Sequence, residues 1–247
     1  MSGHSKWASI KHKKGANDAK RGKLFTKIIK EIIVASRDGG GDPDANARLR
    51  TALLKAKNAN MPKENIERAI KKGTGDLDGI VYHEMTYEAY GPGGVALLID
   101  TLTDNRNRTA AEIRNILSKG GGNLGESGCV GYLFNRRGII DFDAKKYNED
   151  DILAVALEAG AEDVITESET IEVMTDPQDF EAVLKALEDA GLENTYAEVS
   201  MVAESTISLE EEKTKKVLRL IDNLEDNDDV QNIASNLEIP PGIDLSE

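Results

Sequence analysis

Residues 20–34, KRGKLFTKIIKEIIV, decide the fold at the N-terminal end of this chain. Apolar side chains recur there in two adjacent rows with a spacing of four, namely Leu24, Ile28 and Ile32, and Phe25, Ile29 and Ile33. This period predicts an amphipathic helix from Lys20 that ends before Asp38-Gly39-Gly40-Gly41. Lys23, Lys27 and Lys30 lie on its polar flank, so the helix combines an apolar face with a cationic one.

The stretch in front of this helix is a basic arm, residues 1–20. The first thirty residues carry nine Lys and Arg against a single acidic residue, although the whole chain has a net charge of −14. The arm lacks an apolar period, which predicts that it is ordered only in part or on binding. Its lysines are interleaved with His4, Trp7 and His12, which favours contact with a polyanion over a solubilising tail.

Two more helices are predicted after the first. One runs from about Pro43 to Asn58, and the next begins at Pro62, where proline suits the first helical position, and stops at Gly73. Residues 1–75 hold 18 basic and 7 acidic residues, whereas the remainder holds 13 basic and 38 acidic residues. The segregated charge predicts a basic helical bundle joined to an acidic body. Any polyanion must therefore bind to one face of the molecule.

Beyond a glycine-rich linker at 73–79 the apolar period changes from helical to alternating. Strands are predicted at 81–90, 95–102 and 129–134, with a helix at 109–119. Residues 137–202 then follow the order β-α-β-β-α-β of a ferredoxin-like unit. The last predicted elements, a short strand at 205–209, a helix at 210–224 and a strand at 229–237, lack a sheet of their own and would complete the unit that begins at residue 80.

The predicted fold class is therefore α+β, with an N-terminal three-helix bundle and basic arm followed by two α/β domains, at least one of them ferredoxin-like (βαββαβ). The predicted domains are 1–75 for the arm and bundle, 80–135 plus 205–247 for a discontinuous α/β domain, and 137–203 for an inserted ferredoxin-like domain. Residues 73–79 are interpreted as the linker between bundle and body.

Several classes of function are not expected. No apolar run approaches the ~20 residues of a membrane helix, and no apolar segment of a secretory signal follows the first lysines. Cys129 is the only cysteine, which excludes an internal disulfide and fits a cytoplasmic location. The histidines and the acidic residues form no pattern typical of a catalytic or metal site, so we expect no enzyme activity, metal, cofactor or small-molecule substrate.

Two loops allow more than one interpretation. Arg106 and Arg108 precede a predicted helix, where they could contact a phosphate or could instead cap the helix and pair with nearby acids. The glycine-rich loop at 120–128 follows a helix and precedes a strand, and no Gly-Lys-Ser/Thr follows it. A flexible or tightly turning connection is therefore favoured over a phosphate-binding loop.

Long strings in the sequence resemble the YebC family, which includes the mitochondrial translational activator of cytochrome oxidase. They are Gly3–Trp7 (GHSKW), Ile10–Lys14 (IKHKK), Arg21–Phe25 (RGKLF), Asn60–Ile66 (NMPKENI), Tyr90–Val95 (YGPGGV), Thr103–Thr109 (TDNRNRT), Gly121–Gly125 (GGNLG) and Gly128–Val130 (GCV). The resemblance implies one helical and two α/β domains and no enzyme activity. Members of the family are described as transcriptional regulators that bind DNA, and some are linked to translation and to ribosomes slowed at proline-rich stretches.

We therefore hypothesise a non-enzymatic, nucleic-acid-binding regulator of gene expression. The alternatives are a ribosome-associated translation factor that binds ribosomal RNA and eases elongation at proline-rich stretches, and an acidic protein-interaction scaffold onto which the arm docks. The expected partner is DNA or ribosomal RNA, with the ribosome as a further candidate and no membrane. The predicted contact residues are Lys6, Trp7, Lys11, His12, Lys13, Lys14, Lys20, Arg21, Lys23, Lys27, Arg106 and Arg108.

Overall fold

The computed structural model describes residues 18–75, 81–167 and 169–240, with side chains from residue 21 onward. Three helices open the described chain: α1 (Asp18–Gly39), α2 (Ala47–Asn58) and α3 (Lys63–Gly73). Their shared apolar core includes Ile28, Ile32 and Leu49 and also receives Tyr82 from the segment before the next domain. The predicted three-helix bundle is thus confirmed.

Helix α2 begins four residues later than expected, at Ala47 rather than Pro43. The side chain of Asn46 caps the helix by accepting a hydrogen bond from the Leu49 N–H at 3.0 Å. Its amide also donates to the carbonyls of Ala35 and Gly40, each at 2.8 Å. Asn46 therefore satisfies carbonyls at the end of α1 and starts α2 at the same point, which fixes the turn between them.

The second unit is a four-stranded antiparallel sheet with two helices on one face. Its elements are β1 (His83–Tyr90), β2 (Ala96–Thr103), α4 (Arg106–Lys119), β3 (Asn123–Leu124), α7 (Glu211–Glu225) and β9 (Val230–Ser235), in the strand order β3-β1-β2-β9. Alternate side chains of β2, such as Leu97 and Ile99, pack with α4 and α7 in one core. The C-terminal strand β9 pairs with β2, so the two ends of the body share one sheet.

The third unit lies between those two ends in the sequence. It consists of β4 (Phe134–Asp143), α5 (Glu149–Glu158), β5 (Asp163–Glu167), β6 (Thr170–Thr175), α6 (Phe180–Asp189) and β7 (Tyr196–Ala203). Its antiparallel sheet has the order β5-β6-β4-β7, which is the ferredoxin-like arrangement. A short parallel pair, β8 (Ile207–Ser208) and β10 (Leu237–Glu238), follows the two sheets. The predicted α+β class is confirmed, while the domain boundaries stay a prediction.

The predicted strand at 129–134 is wrong. Residues Gly131–Leu133 form a 3-10 turn, and the strand starts only at Phe134. The reason is Glu88, whose carboxylate accepts the backbone N–H groups of Gly128, Val130 and Gly131 at 2.6 to 2.7 Å. Donors that are committed to a carboxylate are not available for a sheet ladder.

Other predicted bounds are also corrected. Helix α4 starts at Arg106 rather than 109 because Asn105 caps it, and α6 starts at Phe180 rather than 177. The predicted last strand is divided into β9 and β10 at Asn236, whose side chain accepts a hydrogen bond from the Ala96 N–H at 2.8 Å. Among the residues that the structure describes, no helix has the length and apolar character needed to cross a membrane.

Glycines in the loop after α4 allow it to pack closely against Tyr90 and Leu220. A Cβ at Gly122 would lie 2.5 Å from the Tyr90 carbonyl oxygen, and one at Gly120 would lie 2.6 Å from a methyl group of Leu220. The Tyr90 carbonyl belongs to the backbone and cannot turn away, so Gly122 has no room for a side chain. The geometry therefore favours the tightly turning connection over a phosphate-binding loop.

A pair of buried carboxyl groups lies on the ferredoxin-like sheet. Asp141 on β4 is directly opposite Glu172 on β6, and their exposed fractions are 1% and 3%. The Oδ1 atom of Asp141 has no hydrogen-bond partner among the described residues. Burial, together with the charge of Glu172, raises the pKa of Asp141 to about 8, because removing a carboxylate from water disfavours its charged form.

This pair predicts a pH dependence of stability. Since the folded-state pKa of Asp141 lies above the unfolded one, folding is favoured at low pH and this advantage is lost as the pH rises from about 4 to 8. We expect the Asp141→Asn variant to lack this dependence, so that its stability relative to wild type rises by up to about 1.4 kcal/mol per pH unit in that window. Urea unfolding of both proteins across the range measures the difference. A constant difference would contradict the prediction.

Candidate nucleic-acid interface

The cationic flank of α1 faces the body of the protein. Lys23, Lys27 and Lys30, which recur every three to four residues, all contact the segment Glu225–Asp229 between α7 and β9. Lys23 Nζ lies 3.1 Å from Asp226 Oδ1, and Lys27 Nζ donates to the Glu225 carbonyl at 2.6 Å. We call these three lysines the lysine stripe and Glu225–Asp229 the acidic segment. The two surfaces hold the bundle against the body.

The most deeply buried contact of the stripe is that of Lys30, which is 7% exposed. Its ammonium donates to Asp229 Oδ1 at 2.7 Å and to the Asp228 carbonyl at 2.8 Å. It also lies 5.7 Å from the centre of the Tyr82 ring, within the range of a cation–π contact. The charge of a buried lysine is thereby compensated on several sides.

Asp229 is the point where three parts of the chain meet. While its Oδ1 accepts Lys30, its Oδ2 accepts Arg108 at 2.7 Å, Thr109 Oγ1 at 2.6 Å and Thr103 Oγ1 at 3.2 Å. Burial would raise its pKa, but the hydrogen bonds from Arg108, Lys30 and Thr109 outweigh it and lower the pKa to about 2. The carboxylate thus stays charged, and its contribution to stability is present above about pH 4 and is lost as the pH falls through 2.

The loop with Arg106 and Arg108 uses both arginines within the molecule. Asn105 caps α4 by accepting the Arg108 N–H at 3.1 Å, and the Arg108 guanidinium also pairs with Asp104 at 2.8 Å. Arg106 Nη2 lies 3.1 Å from His83 Nδ1. These are the contacts that the capping and salt-bridge interpretation expects, although Arg106 and Arg108 stay exposed at the surface. An additional contact with a phosphate stays a prediction for this loop.

Helix α2 adds further ion pairs between the bundle and the body. Arg48 pairs with Glu84 of β1 at 2.5 Å and Arg50 with Glu181 of α6 at 3.7 Å. Lys55 pairs with Glu198 of β7. Five basic side chains of α1 and α2 thus pair with acids of the body, namely Lys23, Lys30, Arg48, Arg50 and Lys55, which accounts for part of the charge segregation seen in the sequence.

A different group of cations remains at the surface of the bundle. Arg68, Lys71 and Lys72 are exposed on α3, and their spacing of three and four places them on one helix face. They have no ion pair with a described residue, and neither does the exposed Lys57 of α2. These residues are not among the contacts predicted from the sequence, although their spacing in the last turns of a predicted helix could have revealed them.

Of the remaining predicted contact residues, the structure describes the side chain of Arg21 only. Lys6, Trp7, Lys11, His12, Lys13 and Lys14 lie outside the described residues, as does the side chain of Lys20. Arg21 is exposed and lies 5.5 Å from the centre of the Phe25 ring. Within residues 18–75, 81–167 and 169–240, no group of three or more His, Cys, Asp or Glu side chains is arranged to bind a metal ion.

Comparison with known proteins identifies similar sequences over nearly the whole chain. Residues 5–76 match the model of the TACO1/YebC protein N-terminal domain, and residues 82–237 match that of the TACO1/YebC second and third domain. A relative from Treponema denticola is 60% identical over 247 residues, covering 100% of both chains. One from Halothermothrix orenii is 57% identical, covering 98% of this chain and 97% of its own. Both are called "Probable transcriptional regulatory protein".

A solved structure has a closely similar fold. The crystal structure of a conserved hypothetical protein from Aquifex aeolicus is 50% identical in sequence and superimposes with a TM-score of 0.82. The match covers 92% of this chain and 93% of the other.

Because Lys30 is paired with a buried carboxylate and Lys23 with an exposed one, replacing Lys30 should reduce the free energy of unfolding more than replacing Lys23. Replacing Lys30 by Met leaves a buried carboxylate with one cation fewer, so we expect the free energy of unfolding to fall by about 3 kcal/mol. Lys23→Met is the control: its ion pair is 41% and 60% exposed on the two sides and should contribute less than about 1 kcal/mol. Urea unfolding compares the two variants. Equal losses would contradict the assigned role of Asp229.

Proposed function

Since this chain belongs to the TACO1/YebC family, we propose that it is a regulator of gene expression that binds nucleic acid. The relatives named above are called transcriptional regulatory proteins, so DNA is the first candidate ligand. The proposal assigns no catalytic activity to the chain. It places the contact on the N-terminal arm and on the exposed face of α3.

The observation that carries this proposal is the set of cations that docking leaves exposed. Arg68, Lys71 and Lys72 form a local positive surface on α3 and have no acidic partner among the described residues. A phosphate backbone could replace the solvent around them and release condensed counterions, which is the main source of non-specific affinity for nucleic acid. Cations near the C-terminal end of α3 also stabilise the helix through its dipole. Their contribution to nucleic-acid binding is therefore measured directly.

The charge of the body supports the same location for the contact. Residues 76–247 hold 38 acidic and 13 basic residues, and such a surface repels a polyanion. The bundle and arm carry the opposite net charge. A nucleic acid would therefore approach from the bundle side, with the body pointing away.

The exposed side chains of α3 favour phosphate contact over the recognition of bases. On the exposed part of the helix, Glu64 and Glu67 precede Arg68, Lys71 and Lys72. Arg and Lys can also contact guanine, but most protein–DNA hydrogen bonds go to phosphate and sugar, and no exposed residue of α3 is an Asn or Gln of the kind that recognises adenine. The proposal therefore predicts weak sequence preference for the bundle alone, with duplex DNA and ribosomal RNA as the two ligands to compare.

The proposal is tested by removing the charges of α3. We expect the Arg68→Gln, Lys71→Gln, Lys72→Gln triple variant to bind a duplex DNA about tenfold more weakly at low salt, and its salt slope to fall by about two to three units. Fluorescence anisotropy across a salt series measures both quantities. A ribosomal RNA fragment of equal length, measured in the same way, determines which nucleic acid is preferred.

A matched control is available on α7 of the body. Lys213, Lys216 and Arg219 are also exposed, and their replacement by Gln removes the same charge from another helix. The proposal predicts that this control binds with little change in affinity. If the two triple variants weaken binding equally, net charge rather than the α3 surface governs the affinity.

The arm is tested separately. Replacing Lys11, Lys13 and Lys14 by Ala should weaken binding regardless of sequence and reduce the salt slope, because each lost phosphate contact removes about 0.7 to 0.9 of a unit. The same anisotropy titration provides the measurement. An unaltered slope would argue against phosphate contact by the arm.

A further inference from the structure

We propose that the lysine stripe of α1 is a second surface for the phosphate backbone of nucleic acid, and that the acidic segment occupies it while the bundle is docked. Docking and nucleic-acid binding then compete for the same three lysines. The inference rests on the proposed function, since it assumes that the bundle binds nucleic acid. It adds a site that is masked within the molecule and a partner that unmasks it.

The acidic segment presents the kind of oxygen atoms that a phosphate backbone presents. Within five residues it offers the carboxylates of Asp226 and Asp229 and the carbonyls of Glu225 and Asp228 to the stripe. It also follows the C-terminus of α7, where unpaired carbonyls give a helix a partial negative charge. The stripe thus already binds a row of anionic and polar oxygens.

The dimensions of the stripe suit a nucleic-acid strand. Seven residues separate Lys23 from Lys30, which corresponds to about 10 Å along the helix axis. One strand of a duplex places a phosphate about every 3.4 Å along its axis. With α1 aligned along the duplex axis, three lysines over this length can contact about three successive phosphates.

The contacts of the stripe are graded from one end to the other. The Lys23–Asp226 pair is 41% and 60% exposed, whereas the Lys30–Asp229 pair is 9% and 5% exposed. Exposed pairs contribute little and are weakened by salt, but a buried pair holds its partners strongly. Asp229 is therefore the anchor of the docked state, and a polyanion would first displace the contact at Lys23.

The ion pairs of α2 do not replace this anchor. The side chains of Arg48 and Glu84 are 38% and 52% exposed, and those of Arg50 and Glu181 are 41% and 67% exposed. In the third pair, Lys55 is 43% exposed and Glu198 is 18% exposed. All three cations of α2 are thus open to solvent and to screening by salt. Removing the charge of Asp229 should accordingly loosen the docking of the whole bundle.

The experiment compares Asp229→Asn with Glu212→Gln in the full chain. Glu212 is exposed on α7 and has no ion pair with a described residue, so its replacement removes one negative charge without touching the docking contacts. The probe is a fluorescein-labelled duplex DNA of twenty base pairs in an anisotropy titration over a salt series. Small-angle X-ray scattering gives the radius of gyration of each free protein.

We expect Asp229→Asn to have a larger radius of gyration than wild type and to bind the probe about five- to tenfold more tightly, with a salt slope steeper by about two to three units. Glu212→Gln should retain the wild-type radius and change the affinity less than twofold. Adding Lys23→Gln and Lys27→Gln to Asp229→Asn should abolish most of the gain, which assigns it to the stripe.

Two results would overturn the inference. If Asp229→Asn has the larger radius but binds like Glu212→Gln, the exposed stripe does not bind phosphate. If its radius is unchanged, Asp229 does not anchor the bundle. If Asp229→Asn fails to fold, Asp226→Asn takes its place in the experiment. Because Asp226 belongs to an exposed pair, we expect its affinity for the probe to rise only about twofold. An affinity equal to that of Glu212→Gln would contradict the inference.

Failure of the proposed function has a different signature. In that case wild type, Glu212→Gln and the α3 triple variant bind the probe equally weakly, and the affinity of wild type does not depend on the α3 charges. If only the further inference fails, the α3 triple variant still binds the probe more weakly than wild type.

Discussion

The docked arrangement of this protein depends on one buried carboxylate, that of Asp229. It accepts hydrogen bonds from Lys30 of the bundle, from Arg108 and Thr109 at the start of α4 and from Thr103 at the end of β2. A buried charge is tolerated only when its partners are in place. The folding of the central sheet, the start of α4 and the docking of α1 are therefore coupled at this group.

The coupling gives the segregated charge of the sequence two roles. Part of the positive charge, on the lysine stripe and on Arg48, Arg50 and Lys55, pairs with the acidic body and organises the domains. The charge that remains, on α3 and in the sequence of the arm, carries the proposed function. A polyanion and the acidic segment offer lysines similar oxygen atoms, so one surface can serve for docking and for binding.

Local patterns were sufficient to predict most of the fold. The spacing of Leu24, Ile28 and Ile32 predicted α1, and the order of alternating and helical segments after Arg137 predicted the ferredoxin-like sheet. The error at 129–134 arose because Glu88, some forty residues earlier, binds backbone N–H groups that a strand would need. The partners of the stripe lie about 200 residues away, so helical spacing showed that the lysines share a flank but not what covers it.

The central claim is that docking covers the lysines of α1 and leaves those of α3 exposed for nucleic acid. Lysine acylation followed by peptide mass spectrometry tests it on the wild-type protein, with and without duplex DNA at low salt. We predict that Lys27 and Lys30 react more slowly than Lys71 and Lys72 in the free protein, and that DNA protects Lys71 and Lys72. Equal reactivity of all four in the free protein, or no protection of α3 by DNA that binds, would contradict it.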